Sequence, residues 1–106
     1  PALPDDPGHE LWKRDFLGAS GLFGTTLKPC PRAALGALID DLELFGMGAS
    51  WGGYESLVLP QDPNASRSVT PWPYEGPCLR FHIGLEDPDD LIADLDAGFK
   101  RLNAAL

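Results

Sequence analysis

A chain of 106 residues with 8 Lys and Arg against 16 Asp and Glu carries a formal charge of −8. That charge repels phosphate backbones and anionic lipid, which argues against nucleic acid and membrane surfaces as partners. No apolar run approaches the ~20 residues of a membrane span, and no signal-peptide pattern opens the sequence. At 43% hydrophobic and 23% charged residues, a single domain of this size buries roughly two thirds of its unfolded surface and folds without staples. Cys30 and Cys78 are too few for a disulfide framework and read as free thiols of a cytoplasmic protein, with a single bridge as the alternative.

In chain order, Pro1 to Gly8 lacks an initiator Met and reads as a connector leading into His9-Glu10-Leu11-Trp12-Lys13-Arg14-Asp15-Phe16. The expectation is a fragment whose remainder lies upstream. Gly21 to Leu27 has strand character. From about Pro31 to Phe45, Ala34, Leu35, Leu38, Ile39, Leu42 and Phe45 form one helical stripe opposite Asp40, Asp41 and Glu43, and Gly46 stands where a left-handed cap would end the helix. A short extended piece is expected near Met47 to Ser50 and a strand from Glu55 to Leu59. Pro60 to Pro77 holds five prolines and reads as one surface loop, because proline neither donates to a ladder nor fits a helix interior. Cys78 to Ile83 is the next strand.

The last element is the clearest. Asp87 is a good N-cap, Pro88 suits the first helical position, and Asp89 and Asp90 meet the positive end of the helix dipole. Leu91, Ile92, Leu95, Phe99 and Leu102 fall within about 100° of arc. The acidic cluster from Glu86 to Asp96 therefore reads mostly as a capped, solvated helix face rather than a cation site, since nothing restricts its geometry. The sum is an α+β domain over residues 1–106: a small, mainly antiparallel sheet with two helices on one face.

The other face is where chemistry would lie. In Cys78-Leu79-Arg80-Phe81-His82-Ile83 the period of two sends Leu79, Phe81 and Ile83 to one side and Cys78, Arg80 and His82 to the other. Arg80 is then either a solvated side chain on an open sheet or an anion anchor, since a guanidinium held on a rigid strand pairs with a carboxylate through two parallel hydrogen bonds. His82 reads as structural. Four glycines between Gly46 and Gly53 let the backbone approach a ligand or another chain, but no Gly-Lys-Ser/Thr follows, so a nucleotide cradle is rejected. Trp51 is a pocket wall or a surface aromatic. No nucleophile elbow, no base beside Cys30 and no metal-ligand spacing is present, so neither a self-sufficient catalytic site nor a metal site is expected.

Several strings in order, His9 to Phe16, Gly18 to Phe23, Phe45-Gly46-Met47 with Ser50-Trp51-Gly52-Gly53-Tyr54-Glu55-Ser56-Leu57, and Leu79-Arg80-Phe81-His82-Ile83-Gly84-Leu85-Glu86-Asp87, resemble the C-terminal domain of the Cys/Met-metabolism family of pyridoxal-phosphate (PLP) enzymes, and most nearly its bacterial β-lyase branch. The resemblance runs from about Gly8 to Phe99 and leaves the 60–77 loop without a family signal.

It implies the small domain of a fold-type I enzyme. Arg80 would hold the substrate α-carboxylate, and Ser50 and Trp51 would support that arginine and line the substrate site. The Schiff-base lysine and the phosphate-binding residues would belong to a large domain absent from this chain, because Lys13, Lys28 and Lys100 lack the family context. PLP is thus expected in the parent and not in this piece, which would be inactive alone. The parent would be a homo-tetramer cleaving L-cystathionine to homocysteine, pyruvate and ammonia by α,β-elimination. A sibling γ-lyase or γ-synthase, or a stand-alone amino-acid-binding or interaction module, are the competing readings.

Overall fold

The computed structural model describes residues 2–106; Pro1, the first residue of the expected connector, lies outside the described residues. Helix α1 spans His9–Asp15, strand β1 Leu22–Thr26, helix α2 Arg32–Ile39, strand β2 Gly46–Met47, strand β3 Leu57–Gln61, strand β4 Cys78–His82 and helix α3 Pro88–Ala104. The four strands form one sheet in the order β1-β4-β3-β2. β4 pairs antiparallel with both β1 and β3, and only the two-residue β2 runs parallel to its neighbour.

α3 begins as its sequence dictates: the Asp87 side chain accepts the Asp89 N–H at 2.9 Å, with Pro88 in the first turn. Its buried residues are Leu91, Asp94, Gly98 and Leu102. Ile92 differs from the expected stripe and stays 64% exposed, because it lies at the margin of the arc that 91, 95, 98 and 102 define at i+3/i+4 spacing. Leu38 of α2 is 1% exposed and sits against Gly98, where its Cδ1 lies 2.9 Å from the position a Cβ would take. Ala34, Leu38, Ile39, Leu91 and Leu102 from the helices close on Phe45, Val58, Leu79 and Phe81. The two helices therefore cover one face of the sheet.

α2 stops at Ile39, one and a half turns before Phe45, and Gly46 belongs to β2 instead of capping the helix. Two side chains of α3 intervene. Arg101 donates to the Ala37 carbonyl at 3.0 Å and to the Leu38 carbonyl at 3.3 Å, the acceptors the next α2 bonds would use, and the Asp94 carboxylate accepts the N–H of Glu43 at 3.0 Å and of Leu44 at 2.9 Å, the donors that would follow. The apolar stripe still reaches the core, since Phe45 is 4% exposed and meets Phe81 edge-on at 5.8 Å between ring centroids.

β3 also departs from expectation, because Pro60 and Gln61 extend it into the proline-rich stretch. The Ser56 carbonyl takes the Gly46 N–H of β2 at 3.0 Å, and strand alternation sends the peptide groups of Val58 and Pro60 to that same side. β2 has already ended at Met47, so the missing N–H of Pro60 breaks no ladder bond. The loop proper starts at Asp62, whose side chain caps a 3-10 turn over Pro63–Ser66, and Arg67 lies over the Trp72 ring at 5.6 Å.

α1 was not apparent as a helix in the sequence. It has seven residues and none is buried, so no apolar periodicity marks it. The Trp12 indole donates to the Gly18 carbonyl at 3.0 Å, and a cleft of about 850 Å³ lined by Trp12, Phe16, Leu22, Phe23 and Gly24 separates α1 from β1.

Truncating Leu38 to Ala should destabilise the domain by about 2–5 kcal/mol. Chemical denaturation of the two proteins measures the difference.

Candidate functional site

Residues opposite one another across strands share a face. Arg80 faces Gly24 in β1 and Leu59 in β3, and His82 faces Leu22 and Leu57, so both stand on the face that α2 and α3 leave open. After Met47 the chain crosses this face, and β4 with its continuation to Glu86 holds it at successive points. Arg80 Nη2 donates to the Ala49 carbonyl at 2.6 Å, to that of Ser50 at 3.3 Å and to that of Gly48 at 3.5 Å. His82, 7% exposed, takes the Gly52 N–H on Nδ1 at 3.4 Å and has Nε2 3.0 Å from the Gly53 carbonyl. The Leu85 N–H reaches the Tyr54 carbonyl at 2.8 Å.

Glu86 ends the series. Its carboxylate accepts the Ser56 N–H at 2.8 Å and the Ser56 hydroxyl at 2.7 Å, while that hydroxyl accepts the Gly84 N–H at 2.9 Å. Ser56 is fully buried. Gly84 is required here, since a Cβ would run into the Tyr54 carbonyl. The Ser56 backbone N–H, then its hydroxyl, holds the Glu86 carboxyl below the usual carboxylate range, because each donor favours the charged form. Glu86 and Asp94 thus correct the expectation of a solvated acidic face: both carboxylates hold backbone N–H groups of other segments. The signal for Glu86 was its position before the Asp87 cap, which places it outside the helix.

Of the residues singled out in the sequence, Arg80 and the Ser50 backbone meet. Ser50 is exposed, and its hydroxyl makes no hydrogen bond among the described residues; its carbonyl is what touches the guanidinium. Trp51 is 64% exposed on the same crossing segment. The Arg80 hydrogen bonds all use Nη2, so Nε and Nη1 are without partners among the described residues. The free Nε and Nη1 lie on different edges of the planar group, so a carboxylate can take one hydrogen bond from either of them beside the side-chain-free Gly24, and a two-bond fork would have to share Nη2 with the carbonyls.

The chain is thus a small α+β domain with one sheet face left open by the helices, where an arginine of the central strand holds the segment that carries Trp51. The sequence model of the Cys/Met metabolism PLP-dependent enzymes matches residues 1–100, and the chain belongs to that family. It is 52% identical over 106 residues to cystathionine beta-lyase MetC of Escherichia coli, covering 96% of this chain and 27% of that protein. It is 50% identical over 104 residues to an L-alanine/L-glutamate racemase of Wolbachia pipientis, covering 96% of this chain and 26% of that protein. The fold matches the crystal structure of a Xanthomonas oryzae cystathionine gamma synthase in complex with cystathionine, with a TM-score of 0.78 and 32% identity over 100% of this chain and 28% of that one. The chain therefore spans about a quarter of the length of its relatives.

The residues present do not fit the family's cofactor. Lys13 and Lys28 are exposed, and Lys100 pairs with Asp96 at 2.6 Å on the surface. The backbone groups turned toward Arg80 are carbonyls, which repel a phosphate rather than cradle it.

Because the folded Glu86 carboxyl titrates below its unfolded value, the stability it contributes is present at neutral pH and is lost as pH falls through the folded value. Glu86→Gln should therefore lower the unfolding midpoint at pH 7, and the gap to the unsubstituted chain should close progressively below about pH 4. Denaturant titrations across that range test the sign.

Proposed function

We propose that this chain is the substrate-carboxylate side of a PLP-dependent carbon–sulfur lyase of the cystathionine β-lyase type, acting in methionine biosynthesis. In this reading Arg80 receives the α-carboxylate of L-cystathionine, and the parent releases homocysteine, pyruvate and ammonia. The observation that carries it is the asymmetric use of the guanidinium. Nη2 is fixed on the Ala49 carbonyl at 2.6 Å, so the side chain is aimed before substrate arrives and its remaining donors are spared for a ligand. Holding the carboxylate orients the substrate and lowers the entropic cost of reaching the reacting geometry. Ser50 fixes the arginine through its backbone, and Trp51 walls the space beside it.

The cofactor and the proton-transferring groups belong, in this proposal, to parts of the parent outside the chain, so the 106-residue piece has no lyase activity alone. The proposal also takes in a cytoplasmic enzyme that assembles as a homo-tetramer. The acidic composition and the absence of a helix long and apolar enough to cross a membrane among the described residues are compatible with the first point.

A second reading, a γ-lyase or γ-synthase, is favoured by the fold match to the Xanthomonas oryzae cystathionine gamma synthase. Both would use the same carboxylate anchor. Pyruvate from cystathionine supports the β-lyase, and 2-oxobutyrate in its place the γ-lyase; cystathionine synthesis rather than cleavage would mark the γ-synthase.

In the full-length enzyme that carries this segment, Arg80→Ala should raise KM for cystathionine roughly ten- to a hundredfold, the worth of a charge-assisted pair, with a smaller change in kcat. Arg80→Lys should recover only part, because a point charge does not reproduce the fork. An unchanged KM in steady-state assays rules out Arg80 as the anchor.

A further inference from the structure

Trp51 leaves 64% of its surface exposed, yet the backbone on both sides of it is held. On one side the Ser50 carbonyl accepts from Arg80 Nη2 at 3.3 Å; on the other the Gly52 N–H donates to His82 Nδ1 at 3.4 Å, and the Gly53 carbonyl lies 3.0 Å from Nε2. Gly52 has a φ of +84°, the left-handed region in which the chain turns sharply after the indole. Arg80 and His82 are two apart on β4 and so point to the same face.

These contacts fix the state of the imidazole. A backbone N–H can only meet a lone pair, so Nδ1 is the acceptor and the ring proton sits on Nε2, where it is donated to the Gly53 carbonyl. Both nitrogens are satisfied by the segment that follows Trp51. His82 is 7% exposed while Gly52 and Gly53 are exposed, so these bonds are half-buried and shielded from water on the His82 side only. Without them, residues 51–53, two of them glycine, would have wide backbone freedom.

We propose that His82 is a positioning residue that, with Arg80, clamps the peptide groups on both sides of Trp51, so that the indole stands as a fixed wall beside the guanidinium and discriminates among carboxylate-bearing amino acids by the shape of their side chains. The discriminating role rests on the reading of Arg80 as carboxylate anchor; the clamp itself does not. The ligand class is an α-amino acid whose carboxylate is held at Arg80 and whose side chain passes the indole. A loosened wall would leave carboxylate binding in place and erode selectivity.

NMR on the 106-residue chain tests the clamp directly. The nitrogen shifts of His82 should show the Nε2–H tautomer; an Nδ1–H tautomer overturns the proposal without any variant. His82→Leu should speed exchange of the Gly52 amide at least tenfold and raise the mobility of the Trp51 indole, while the Leu79 and Phe81 amides keep their protection. His82→Gln, which restores a side-chain N–H in reach of the Gly53 carbonyl, should recover part of the order. Unchanged Gly52 exchange, or equal loosening of Leu79 and Phe81, overturns the clamp. In the full-length enzyme, His82→Leu should shift the kcat/KM ratio between cystathionine and a shorter amino-acid substrate by tenfold or more with KM for each rising less than in Arg80→Ala, and an unmoved ratio overturns the discriminating role. If Arg80→Ala leaves KM unchanged, the carboxylate reading fails while the NMR result stands, so the two failures are separable.

Discussion

Everything in this domain hangs on the alternation of a single strand. Successive side chains of β4 point to opposite faces, so Leu79 and Phe81 can close the core while Arg80 and His82 work on the other side. The same residues that anchor the sheet to its helices thereby fix, within one peptide step each, the groups that hold the crossing segment. Core packing and site geometry are not separable here: a slip of one residue in the register of β4 would bury the guanidinium and expose Leu79.

That coupling explains why so much was legible. The period of two in Cys78 to Ile83 was enough to place Arg80 away from the helices, and the Asp87-Pro88 start with its apolar spacing was enough to place α3. Where the sequence misleads, side chains act at long range: Arg101 takes the Ala37 and Leu38 carbonyls at the end of α2. Asp94, more than forty residues beyond α2, takes the N–H groups of Glu43 and Leu44, and no local propensity records that competition. The stripe from Ala34 to Phe45 named the right core residues and the wrong backbone. Glu86 is marked only by its place ahead of the Asp87 cap, because a half-exposed acceptor for the buried Ser56 and a solvated charge look alike in one dimension. α1 left no trace for a different reason: a helix with no buried residue has no period to read.

The acidity of the chain has a second physical role. Of the 16 acidic residues, Asp6, Asp62, Glu86, Asp87 and Asp94 accept backbone N–H groups. Part of the negative charge therefore holds turns and caps in place while it still adds to the field around the molecule. Arg80 stands apart from it, touched by carbonyl oxygens and by no carboxylate among the described residues. An arginine already paired with an acid would have little left for a ligand; one held by neutral dipoles keeps its charge available.

Pro60 has a consequence for how copies of this domain meet. A sheet normally grows when a new strand finds free N–H and C=O groups along its rim. On the β3 side that rim is covered for two residues by β2 and then interrupted by a residue with no N–H; on the β1 side α1 stands across a cleft from the strand. The β3 rim therefore offers no long run of unpaired donors, which discourages strand addition on that side of the sheet.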